Sequence, residues 1–320
     1  MVHEISKGRR TMARLAFIGL GVMGFPMAGH LKTRGQHDVV VYNRSPIKAE
    51  AWCRQHGGTP AATPAEAARG AQIVLACVGN DEDVRSVTTG PQGAFHTMTP
   101  GSVFVDHTTA SATLARELDT AARARGLGFI DAPVSGGQSG AEAGTLAVMA
   151  GGTQQDFDTV APVLAAYARS ARLIGPAGSG QLTKMVNQIA IAGLLQGLAE
   201  AIAFAEKSGL DLAAVIDVIS KGAAQSWQME NRWQSMHERR FEFGFAVDWM
   251  RKDLAICLEE ARRIGAPLPV TEIVNGYYAD VQRAGGARFD TSSLILRLDT
   301  TPPAQRNENV ATHANYPLFK

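Results

Sequence analysis

Six residues near the start of the chain, Gly19-Leu20-Gly21-Val22-Met23-Gly24, have the spacing G-x-G-x-x-G. They close an apolar run over 14–20 and open a helical pattern that Gly35 stops. In a strand-turn-helix setting each glycine has its own task. The first makes the tight turn, the second lets backbone approach a pyrophosphate, and the third lets helix and strand pack closely. The helix N-terminus adds N–H groups and a partial positive charge for the phosphates. The bare spacing also occurs in glycine-rich turns of other α/β proteins. The run before it and the helix after it favour a dinucleotide site.

The end of the next strand selects the cofactor. NAD enzymes place Asp or Glu there to hold the ribose 2′-OH. Here Val39–Tyr42 runs into Asn43-Arg44-Ser45, and Asp38 lies at the strand's beginning, too early to serve. Arg44 can form charge-assisted bonds to a 2′-phosphate, with Asn43 and Ser45 as neutral donors, so NADP(H) is expected over NAD(H).

Two further clusters have chemical potential. Residues 131–152 hold Gly136, Gly137, Gly140 and Gly144. Backbone N–H groups at Ser135-Gly136-Gly137 can hold a carboxylate, although a plain surface loop would have the same spacing. Further on, a glycine-rich turn, 175–180, enters a helix carrying Lys184, Asn187 and Gln188, which share one face. Lys184 is expected in about the first turn, where the helix dipole and partial burial would lower its pKa. A lysine tuned toward neutrality can exchange a proton with a hydroxyl. An exposed lysine at a helix start fits the same residues.

The elements that must position these groups follow a simple pattern. Apolar runs at 73–78, 103–106 and 129–131 continue the series begun at 14–20 and 39–42, with helix-length segments between them. That alternation predicts parallel βαβ units. After about residue 175 the pattern is helical, and a stretch over 185–204 is interrupted by Asn187, Gln188, Gln196 and Glu200, too polar for a membrane span. With 320 residues the chain is long enough for two domains. The expected fold is α/β: a Rossmann domain over 14–176, then an all-helical substrate and dimerisation domain over 177–298. Residues 1–13 and 300–320 are expected to be flexible ends, the latter dispensable. A net charge of +1 gives no electrostatic case for nucleic acid or a membrane surface. Cys53, Cys77 and Cys257 show no metal-ligand spacing, and no metal is expected. The first dozen residues contain no apolar core of a secretory signal, so a cytoplasmic location is expected.

Together these segments resemble the β-hydroxyacid dehydrogenase family, over about 14–298, in four blocks. FIGLGVMGFPMAGHL resembles its cofactor block, with Gly29-His30 in place of a usual x-Asn. Asp131–Leu146 is similar to its D-A-P-V-S-G-G substrate block. Gly178–Asn187 resembles its G-x-G-x-x-x-K-x-x-N block, and Lys252-Asp253-Leu254 its K-D-L. The resemblance implies that Lys184 is the catalytic acid/base. Ser135, Gly136 and Gly137 would bind the substrate carboxylate and Asn187 would orient the substrate. Thr109 would lie beside the nicotinamide, in a segment where Thr108 replaces the usual Ser and His107 precedes it. Val78 and Gly79 would lie over the cofactor and Lys252 would be close to it, while Asp253 and Phe245 would close the site from the second domain. The implied reaction is reversible hydride transfer between a small 3-hydroxy acid and its semialdehyde. Protonated Lys184 would give its proton to the carbonyl oxygen, with neighbouring donors stabilising the developing alkoxide. The implied assembly is a homodimer or homotetramer. The alternatives are an imine reductase on the same scaffold and a non-catalytic NADP-binding module; such relatives commonly lack the lysine.

Overall fold

The structure is a computed structural model that describes residues 12–299. The expectations for most of the two chain ends lie outside the described residues. The chain divides into two units within one helix, at Lys184/Met185.

The first unit is built from β1 (Arg14–Ile18), α1 (Gly24–Thr33), β2 (Asp38–Tyr42), α2 (Pro46–His56), β3 (Thr59–Pro60), α3 (Pro64–Ala68), β4 (Ile73–Ala76), α4 (Asp81–Thr88), β5 (Val103–Asp106), α5 (Ala112–Arg123) and β6 (Gly128–Asp131). It continues with β7 (Val134–Ser135), α6 (Gly137–Ala143), β8 (Leu146–Gly152), α7 (Gln154–Leu164) and β9 (Ala168–Gly175). The sheet order is β3-β2-β1-β4-β5-β6-β8-β7, with β9 on β8. Strands from β3 to β6 are parallel, and β8 turns antiparallel to β6 and β7. The order reverses between β1 and β4. In doubly wound sheets ligands bind in the crevice at such a point, beyond the carboxyl ends of the strands.

The central strands have no polar alternation because both faces are covered. Leu15 and Phe17 of β1 enter one core with Met27, Leu31 and Trp52; Ala16 and Ile18 enter the other with Leu114 and Leu118. Caps set where helices begin. Asn80 accepts from Asp83 N–H at the head of α4, and Ser111 from Leu114 N–H at the head of α5. The strands predicted at 14–20 and 73–78 end earlier, at Ile18 and Ala76. Beyond them the backbone leaves the ladder: Gly19 turns away at φ +95° after a last bond from its N–H to Tyr42 C=O, and Val78 N–H bonds the Thr108 hydroxyl.

The second unit continues α8 (Ser179–Lys207) through α9 (Leu212–Ile219), α10 (Trp227–His237), α11 (Val247–Ile264) and α12 (Pro269–Val281) to a 3-10 segment, Thr291–Leu298. Its core joins Leu195, Ala199 and Ile202 of α8 to Met236, Met250, Leu254 and Tyr278. By length and composition α8 is apolar enough to cross a membrane, yet half of its most apolar stretch is buried inside the protein. Gln188 and Gln196 are among its buried residues.

Candidate active site

The glycine loop leaves β1 at the point where the strand order reverses. A Cβ on Gly24 would lie 1.9 Å from the Gly19 carbonyl oxygen, so no other residue allows α1 to start so close to the strand. No side chain caps the N-terminus of α1, and Gly21 and Val22 are exposed. A loop with open N–H groups and a bulk-free approach fits a pyrophosphate. Asn43 keeps the loop in shape, because its Oδ1 accepts from Leu20 N–H at 2.9 Å while its Nδ2 donates to Ser45 C=O at 3.1 Å. Its amide is thus engaged inside the loop. The Arg44 side chain is 89% exposed, with one Nη1 contact of 3.4 Å to Asp83. Ser45 stands at the head of α2 without a side-chain capping bond.

Val78-Gly79 and Thr109 follow the neighbouring strands β4 and β5, so all three cofactor segments leave the same edge of the sheet. The Thr108 hydroxyl accepts from Val78 N–H at 3.0 Å and fastens the two loops together. Thr109 is half-buried between two backbone groups held by Gln181. The Gln181 amide donates to Thr108 C=O at 2.7 Å and accepts from Ala110 N–H at 3.0 Å. Gln181 was not singled out in the sequence. Its place directly after the G-x-G that enters α8 was the available signal, but its partners lie 71 and 73 residues away.

The helix with the lysine is fixed to the sheet at its first turn. Asp131, at the end of β6, accepts Gly178 N–H and Gln181 N–H, each at 2.8 Å. A Cβ on Gly180 would come within 2.4 Å of Asp131 C=O and 2.5 Å of Met149 C=O, so the helix start can press on both strands only with glycine there. Burial pushes the Asp131 carboxyl up to about 7, against the two backbone bonds that favour its ionised form. Lys184 is buried, 8% exposed, and sits in the second turn of α8 rather than the first, because the helix begins at Ser179. The structure therefore places it beyond the strongest reach of the helix dipole.

His107 is also buried. Its Nδ1 lies 2.6 Å from Ala132 C=O and its Nε2 2.7 Å from the Tyr167 hydroxyl. A carbonyl can only accept, so Nδ1 carries the proton and Nε2 accepts from tyrosine. Burial lowers the His107 pKa to about 4, leaving it neutral.

Ser135 is half-buried at the end of β7, and Gly136 and Gly137 are exposed at the start of α6. In the second unit Asn187 donates to Gln188 Oε1 at 2.8 Å, and Gln188 donates to Asp253 Oδ2 at 2.7 Å. Lys252 Nζ is 3.1 Å from the other Asp253 oxygen. Four polar residues of α8 and α11 thus form a chain, three of them assigned roles from the resemblance. Phe245 is half-buried on the loop before α11, its N–H bonded to Asp290. Among the described residues no group of three His, Cys, Asp or Glu is placed to hold a metal ion.

Residues 14–175 match the NAD binding domain of 6-phosphogluconate dehydrogenase, and residues 178–298 match the NAD-binding family of NADP-dependent 3-hydroxyisobutyrate dehydrogenase. An uncharacterized oxidoreductase of Shewanella frigidimarina is 60% identical, over 90% of this chain and 99% of its own. The solved 3-hydroxyisobutyrate dehydrogenase of Mycobacterium tuberculosis with L-serine is 32% identical, covering 91% of this chain and 100% of that one, with a TM-score of 0.82. Psf3, solved with NADP+ and 2-OPP, is 27% identical over 89% of this chain and 100% of that one, with a TM-score of 0.81. An imine reductase of Aspergillus terreus, at 22% identity over 89% of this chain and 99% of that one, shares the fold alone, with a TM-score of 0.58. A doubly wound sheet with a pyrophosphate-shaped loop, followed by a helical unit, defines a pyridine-nucleotide oxidoreductase. The chain belongs to the β-hydroxyacid dehydrogenase family, as an NAD(P)-dependent hydroxyacid dehydrogenase of the 3-hydroxyisobutyrate dehydrogenase type.

Proposed function

We propose that this chain is an NADP(H)-dependent oxidoreductase interconverting a small 3-hydroxy acid and its semialdehyde, with Lys184 as the general acid/base. The observation that carries the reading is the setting of Lys184. It is a buried lysine on one helix face with Asn187 and Gln188, on a helix locked to the sheet by Asp131. A buried ammonium without a task is costly, and an enzyme can use one to move protons.

When bound, the nicotinamide supplies or takes up the hydride. The protein's own part is binding, orientation and proton transfer. Backbone at Ser135-Gly136-Gly137 receives the carboxylate, and Asn187 orients the oxygen-bearing carbon. Lys184 Nζ gives a proton to the carbonyl oxygen in reduction and removes it from the hydroxyl in oxidation. Gly19, Leu20, Gly21, Val22, Met23 and Gly24 hold the pyrophosphate, Val78, Gly79, Thr109 and Lys252 the nicotinamide half, and Asn43, Arg44 and Ser45 border the 2′-position. Asp253 and Phe245 close the site. The absence of a carboxylate at the end of β2 and the exposed Arg44 support NADP(H), as does the NADP+ complex of Psf3. The L-serine complex of the mycobacterial enzyme supports a carboxylate-bearing β-hydroxy substrate. We assign cofactor binding to 14–176 and substrate binding and self-association to 177–298, in a cytoplasmic dimer or tetramer.

The test is a turnover panel of succinic, methylmalonic and tartronic semialdehydes and glyoxylate with NADPH and NADH, followed at the nicotinamide absorbance. Faster turnover of a semialdehyde with NADPH is expected. Consumption of NADPH only when a ketone is paired with an amine would make the chain an imine reductase. Thermal protection by NADPH without consumption of any substrate would make it a binding module.

A further inference from the structure

The change at Gly29-His30 in the cofactor block has a structural counterpart. His30 lies in the last turn of α1 and Arg34 is its C-cap. His30 Nε2 is 3.0 Å from Ala141 C=O and 3.0 Å from Glu142 C=O, and Arg34 Nη2 donates to Ala143 C=O at 3.0 Å. Both histidine partners can only accept, so Nε2 carries a proton. These three carbonyls are consecutive and end α6, where intrahelical donors run out. Two side chains of α1 therefore finish the C-terminus of α6 and hold it in place. At its other end α6 begins at Gly136-Gly137, with Gly136 packed toward Leu146 of β8.

We propose that His30 and Arg34 are positioning residues that set the substrate-carboxylate loop, Ser135-Gly136-Gly137, by clamping the far end of α6. This rests on the assignment of that loop to the carboxylate. α6 has only 7 residues; Gly140 and Ala141 C=O accept from Thr145 and Gly144 N–H, while Glu142 and Ala143 C=O are met by the side chains of His30 and Arg34, so its axis is set by what holds its two ends. A shift of the helix by a fraction of an ångström misplaces the N–H groups offered to a carboxylate, while the glycine loop at the opposite end of α1 is left as it is. The clamp should therefore govern the affinity for the acid and not the affinity for the dinucleotide.

The experiment compares wild type, His30→Ala/Arg34→Ala and His30→Gln. The probes are the best hydroxy acid among 3-hydroxyisobutyrate, L-serine and D-glycerate, and its methyl ester. NADPH dissociation constants are measured alongside, by protein fluorescence. In wild type the ester should have a KM at least tenfold above that of the acid. In the double variant the acid's KM should rise about five- to twentyfold, the ester's should stay within twofold, and NADPH binding should be unchanged. His30→Gln, whose amide can donate to the same carbonyls, should restore most of the acid's KM. An acid-to-ester ratio in the double variant equal to that of wild type overturns the clamp and leaves the carboxylate assignment standing. A wild type that treats acid and ester alike overturns the carboxylate assignment, and the clamp with it. Parallel loss for acid, ester and NADPH means general destabilisation and also refutes the positioning role.

Discussion

Lys184 is the side chain whose removal discriminates most sharply between a hydride-transfer enzyme and a binder on the same scaffold. Lys184→Ala should lower kcat by about 10² to 10⁴ and leave NADPH affinity within a few-fold, measured by stopped-time assays and fluorescence titration. Near-normal turnover in that variant would remove the lysine from the mechanism. Arg44 is different, because the proposal has it act on the cofactor from an exposed position, where it is already in contact with Asp83. On the proposed NADP(H) reading a 2′-phosphate would compete with that carboxylate, which places the benefit of Arg44 at the lower end for a charge-assisted contact. Arg44→Ala should raise the Michaelis constant for NADPH about tenfold and that for NADH hardly at all. Equal efficiency with both cofactors in wild type would return Arg44 to the status of a surface charge.

At the scale of elements, the glycine loop and the lysine helix were legible because their signals are local. Glycine spacing and a shared helix face can be counted along a few residues. The bonds that make these elements into a site were not legible. Gln181 holds groups on either side of Thr109, and Asp131 fixes α8, through partners 47 to 73 residues away. The strands β3, β7, β8 and β9 also escaped the sequence. β7 has two residues, and β9 carries Arg169 and Arg172 on an exposed edge where no apolar run is needed. Gln181→Ala should leave Thr108 C=O and Ala110 N–H buried without their partner, at about 1 to 3 kcal/mol each. The expected outcome is a lower melting temperature and a kcat reduced more than NADPH affinity, since the loop under strain is the one proposed to lie beside the nicotinamide. A variant with unchanged kcat would show that Thr109 needs no such support.

At the scale of the whole molecule, two buried groups oppose each other in pH. Asp131 has a folded pKa raised to about 7, so its contribution is full below the unfolded value near 3.8 and is lost as pH rises through 7. His107 has a folded pKa lowered to about 4, so its contribution is full above 6.5 and is lost as pH falls through 4. Each shift corresponds to roughly 3 to 4 kcal/mol, and the two slopes nearly cancel between about pH 4 and 6.5. The pair by itself should leave melting temperature level there in wild type, with His56, Glu117 and Glu206, whose pKa values are also lowered, adding a fall on acidification. In Asp131→Asn the histidine slope should emerge, with stability falling on acidification through that window. A profile in the variant no steeper than that of wild type would contradict the assignment. The link between Asp131 and α8 also has a consequence for how the chain assembles. The amides of Gly178 and Gln181 gain their partner only when a carboxylate about 50 residues upstream has reached the sheet. Ser179 and Leu182 N–H find partners nearby, in Pro176 and Gly178 C=O, but those of Gly178 and Gln181 at this end of α8 wait for Asp131, whatever the helix preference of the sequence. Closing so long a loop belongs to a late stage of folding. In pulse-labelling these two amides should acquire protection after those of β1 and β2, and a nascent chain should complete its chemistry-bearing turn only after the sheet that receives it.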